Sequence, residues 1–146
     1  MREFKPFVSD DEIAAVGAGF IDLTLPKSSW THAAHFATTL WLISCRKDVD
    51  PARDLPHLIR RYNESVGGAN TDTEGYHETI TQASIRAARA FLAQNPGRSL
   101  TDLSNSLMRS PLGEPGWLLA YWSRERLFSV QARRSWVDPD IKPLPF

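Results

Sequence analysis

Apolar positions recur every three or four residues over most of this chain, the period of a helix rather than of a strand. Proline punctuates the pattern. The windows 27–50, 57–95 and 116–138 lack it, and each is helical in its periodicity. An acidic start, Ser9-Asp10-Asp11-Glu12, leads into Ile13, Ala14, Ala15 and Val16 and predicts a short helix stopped at 17–19 by Gly17 and Gly19. Residues 20–25 alternate, but no second segment of that quality exists to pair with them, so they read as a linker.

The second predicted helix runs over 30–46, capped by Ser29 or Thr31. Ala33, Phe36, Ala37, Leu40, Trp41 and Leu42 make it apolar nearly all round, as in a buried central helix. A third begins after Asp54, takes Pro56 in its first turn and ends at Gly67 and Gly68. Residues 68–73 are turn formers, and a fourth helix follows from about Glu74 or Tyr76 to Ala93. Its small residues Ala83, Ser84, Ala87, Ala88 and Ala90 allow close approach, which makes it a second central helix. Ser99 caps a fifth through Met108, with shorter helices over 117–122, 123–128 and 129–134. Residues 138–146 carry three prolines and must be an extended strap or tail. The pattern predicts an all-α, compact bundle of five to seven helices in one domain, residues 1–146. It comprises an N-terminal helix and linker in 1–28, a helical core in 30–134 and an extended tail in 135–146.

Composition narrows the function classes. Hydrophobic residues at 42% and charged residues at 23% suit a globule and exclude wholesale disorder. Seventeen basic side chains balance seventeen acidic ones, which gives no electrostatic reason for a nucleic-acid or anionic-membrane partner. The N-terminal stretch is charged, without a signal-like apolar run. The longest apolar stretch, 36–45, is ten residues, where a membrane span takes about twenty. A cytoplasmic location is expected, with the lone Cys45 as a reduced core thiol.

Candidate chemistry rests on histidine. His32 and His35 lie three apart on helix two, about 60° apart on the wheel, so both imidazoles can converge on one ion or one substrate atom. Helix four opens with Gly75-Tyr76-His77-Glu78-Thr79-Ile80-Thr81, and His77, Thr81 and Ser84 form a wet stripe. If the two helix starts meet, His32, His35 and His77 form a first shell for zinc, iron, manganese or nickel. Glu78 then serves as orienter or base. With helix three antiparallel to both, the starts coincide and place His32 or His35 within about 8 Å of His77 or Glu78. Two other readings compete with the metal-dependent hydrolase or lyase. One is a metal-free pocket in which these residues, with Tyr76, Thr79 and Thr81, hydrogen-bond a small ligand; the other is a purely structural or partner-binding bundle. His57 reads as exposed. Arg60, Arg61, Arg86 and Arg89 read as solvated, and Arg124, Arg126, Arg133 and Arg134 as partners of the acidic tail. Trp117 and Tyr121 share a face and suit an aromatic pocket, a core or a homodimer seam.

The segments Trp30-Thr31-His32-Ala33-Ala34-His35, residues 75–81 and residues 129–140 together resemble a group of small all-helical bacterial proteins. That resemblance implies an all-α fold and a bacterial, cytoplasmic origin, and implies no particular activity. The histidines are also similar in style to DinB-like helical-bundle metalloproteins, which place three histidines inside a bundle. The spacing and helix order here depart from that pattern.

Overall fold

Helices begin in this chain where a side chain can accept the first free backbone N–H. A computed structural model describes residues 4–146, so the first three residues of the charged N-terminal stretch lie outside it. Among the described residues there are seven α-helices and no strand: α1 (Asp10–Asp22), α2 (His32–Cys45), α3 (Pro51–Ser65), α4 (Glu78–Gln94), α5 (Leu100–Arg109), α6 (Arg124–Leu127) and α7 (Val130–Arg134). Ser9, Thr31, Asp50, Ser99, Ser123 and Ser129 each cap the helix that follows through a side-chain oxygen. The exception is α4, which is capped by the ring of His77.

Several boundaries differ from those the sequence predicts. α1 runs through Gly17 and Gly19 to Asp22, where Leu23 closes it in the left-handed region at φ 63°. Its glycines are there for approach rather than termination. A Cβ on Gly17 would sit 2.2 Å from Cε3 of Trp41 on α2. α3 starts earlier than expected, with Asp50 as cap and Pro51 in the first turn, so Pro56 lies inside the helix. Proline at 56 cannot donate to the carbonyl of Ala52, one turn back. Gln82 Nε2 on α4 makes up the loss, donating to Ala52 O at 3.0 Å. α4 starts at Glu78 rather than at Glu74 or Tyr76, because residues 66–77 form a closed loop. Asn70 pins that loop, accepting from Tyr76 N and Asn63 Nδ2 and donating to Arg60 O. Gly75 lets it shut at φ 82°, where a Cβ would strike the Ala69 carbonyl.

α2 is the central helix, packed by α1, α4, α5 and α3. Ala37, Leu40 and Leu42 are fully enclosed. Phe20 of α1 stacks on Trp30 with ring centroids 4.3 Å apart, and Tyr62 of α3 tilts against both. The Tyr62 hydroxyl donates to Leu25 O, which fixes the chain between α1 and α2. The tail is a strap: Trp122 Nε1 donates to Val137 O, and Asp140 accepts from both the backbone N–H and the hydroxyl of Ser123. Cys45 is exposed at the last residue of α2, not a core thiol. The helix ends there. Among the described residues no helix is long and apolar enough to cross a membrane.

The glycines supply a test. Gly17→Ala forces a methyl group into the Trp41 ring and should destabilise the fold by about 2–3 kcal/mol. Gly116→Ala meets only Leu119 at 3.7 Å and should change stability by less than about 1 kcal/mol. Urea unfolding of both variants decides the matter. Equal losses would remove the close α1–α2 approach as the reason for Gly17.

Candidate functional site

The first turns of α2 and α4 open on a common cleft of about 320 Å³. α2 contributes His32, His35, Phe36 and Thr39, while α4 contributes Ile80, Thr81, Ser84 and Ile85. Leu55 and Ile59 of α3 form a third wall. Trp30 closes one side, and Pro115, Trp117 and Leu118 close another. No Asp, Glu, Lys or Arg lines it.

His35 is the chemically distinctive wall residue. Its Nδ1 donates to the Thr31 carbonyl at 2.7 Å, and its ring lies against Trp30 with centroids 4.0 Å apart. The side chain is exposed to solvent, while Trp30 and the neighbouring cleft walls pack around the rest of its ring. That crowding penalises the charged form and pushes the pKa down to about 4, with His32 acting in the same direction and the Thr31 hydrogen bond opposing. At neutral pH the imidazole is uncharged.

The other imidazoles are held by backbone. His32 Nε2 lies 2.8 Å from Leu112 O, and its ring stands edge-on to Phe36. His77 uses both nitrogens: Nδ1 accepts the Ile80 N–H, and Nε2 donates to Leu127 O at 2.7 Å. The three rings are therefore not turned toward one point. Among the described residues no group of three or more His, Cys, Asp or Glu side chains is placed to hold a metal ion. A metal shell of His32, His35 and His77 would require His77 to give up its cap or its carbonyl.

The remaining nominated residues divide. Thr81 lines the cleft. Thr79 is fully buried and serves the strap, donating to Ala132 O at 2.8 Å and accepting from Val137 N at 3.2 Å. Glu78 accepts hydrogen bonds from the Tyr76 hydroxyl and from Gln82 and does not line the cleft. Burial drives the Tyr76 hydroxyl far above its usual pKa, with the Glu78 hydrogen bond adding to the rise. The Arg60 guanidinium covers the Tyr76 ring at 4.3 Å. Sequence placed Ser84 in the wet stripe and left Trp117 open between an aromatic pocket, a core and a homodimer seam; both residues line the cleft. Ile59, Pro115 and Leu118 carried no signal, because apolar cleft walls and apolar core look alike in a sequence.

Two polar features of the walls lack protein partners. The indole N–H groups of Trp30 and Trp117 are sealed from water without an acceptor, each an unfavourable burial of about 1–3 kcal/mol. No protein family model matches the chain, and no curated protein or solved structure matches it significantly.

The position of His77 predicts a pH dependence. Burial holds its pKa below the ordinary histidine value, with Arg133 adding to the effect and the Leu127 hydrogen bond opposing it. Below about pH 6.5 the unfolded chain takes up a proton that the folded chain refuses. The contribution is therefore fully present above that pH and is lost as the pH falls toward the folded value. His35 acts with the same sign between about pH 6.5 and about 4. Stability should decline from about pH 7 to about pH 5, before most carboxylates titrate. His77→Asn keeps a capping oxygen and should flatten that decline by up to about one proton. An unchanged slope in urea unfolding at stepped pH would contradict the assignment.

Proposed function

We propose that this chain binds a small, neutral, mainly apolar molecule in the cleft between α2, α3 and α4. The observation that carries this reading is the wall itself: a cavity of about 320 Å³, apolar on most sides, with no formal charge and a neutral His35. Cavities of a few hundred Å³ with few convergent polar groups are the usual form of small-molecule sites. A carboxylate or ammonium placed there would lose its water and find no countercharge. A neutral carbonyl or hydroxyl keeps partners, since the Thr81 and Ser84 hydroxyls stand in the wall. The reading needs no metal; of the three imidazoles, His77 has both ring nitrogens engaged by backbone, one by the Ile80 N–H and one by the Leu127 carbonyl.

Neutral aryl ketones from acetophenone to benzophenone are suitable probes. Binding should raise the melting temperature and change the fluorescence of Trp30 and Trp117, and benzoate should bind at least about tenfold more weakly than acetophenone. Ser84→Leu fills the cleft and should abolish the effect while circular dichroism stays helical. Both signals should survive a chelator, whereas a metal-dependent site would lose them. If no ketone in the series binds, or benzoate binds equally well, the proposal fails.

A further inference from the structure

The cleft does not end at His35. A second chamber, about 430 Å³, shares Trp30, His35, Ile59, Ile80 and Thr81 with the first. It reaches Lys27 and Glu74, the only Lys, Arg, Asp or Glu side chains in its lining. His35 and His77 both border it. His35 thus stands in the wall common to both spaces, and its chemistry sets what can lie across them.

That chemistry is one-sided. The Thr31 carbonyl only accepts, so Nδ1 carries the ring proton and Nε2 presents a lone pair. Among the described residues no protein donor bonds to Nε2. An imidazole in this tautomer cannot donate from Nε2, and a ligand acceptor set against it would meet lone-pair repulsion. Resting on the cleft reading above, we infer that the two chambers form one elongated site for a neutral aromatic compound whose O–H or N–H donates to His35 Nε2.

The test uses three probes that differ in one group: benzophenone, p-hydroxybenzophenone and p-methoxybenzophenone, titrated calorimetrically below the phenol's own pKa. Wild-type protein should prefer the phenol over its methyl ether by about tenfold, one charge-free hydrogen bond with its repulsive counterpart. His35→Phe retains a ring against Trp30 but has no acceptor, and the preference should shrink to about twofold or less. His35→Gln, which still presents an oxygen, should restore part of it. Nitrogen NMR of the wild-type imidazole gives a readout independent of any variant: the lone-pair nitrogen should move upfield with the phenol and stay put with the ether. Benzophenone binding without any phenol preference would overturn this inference and leave the cleft reading standing. Failure of all three probes would overturn both.

Discussion

The structure turns on the start of α4, where one buried hydroxyl and one buried imidazole hold the C-terminal third of the chain. Thr79 donates to Ala132 O and receives the Val137 N–H, while His77 reaches Leu127 O. Arg133 completes the clamp by donating to the carbonyls of Gly75 and Tyr76. These bonds are made between segments some fifty residues apart in sequence. They bring α6, α7 and the strap against the same turn of α4 that carries Ile80 and Thr81. Trp122 and Val137 join that arrangement from the strap side, and Phe146 packs on Trp117, whose ring roofs the cleft. The site's geometry therefore depends on contacts that never touch its interior.

The helical class and the central place of α2 were legible because each rests on local physics. Six capping side chains are Ser, Thr or Asp, and α2 is apolar around its circumference. The misplaced start of α4 has an equally local cause. Histidine is an uncommon cap, and nothing before residue 78 announces one in sequence. Pro56 and Gly17 misled for the opposite reason. Each is unfavourable in an isolated helix, and each is tolerated because of a partner that only the fold supplies, Gln82 for the stranded Ala52 carbonyl and Trp41 for the missing Cβ.

The two conspicuous sequence segments, residues 75–81 and 129–140, prove to be neighbours. The clamp between them engages His77, Thr79 and Arg133 through backbone partners. This redistributes the nominated site. Spacing can say that His32 and His35 share a helix face, but which nitrogen of each ring faces a carbonyl depends on Leu112 and Thr31. Those partners are a tertiary accident for the first and a local turn for the second, so only the His35 tautomer was open to derivation from sequence.

What remains is a cleft that folding alone does not explain. A bundle selected only for stability would close a gap of this size, since each missing methylene forfeits dispersion and transfer energy. It would also find acceptors for the Trp30 and Trp117 indoles. A small residue helps hold the space open, Ser84 on α4, and Pro115 lies in the turn that leads to Trp117, closed by Trp117 N–H donating to Glu114 O. The neutral state of His35 follows from the same surroundings, because the crowding that forms the cleft is what removes the imidazole's charge. Cavity, polarity and protonation state thus have one origin, the packing of α2 and α4 against a roof held by the strap.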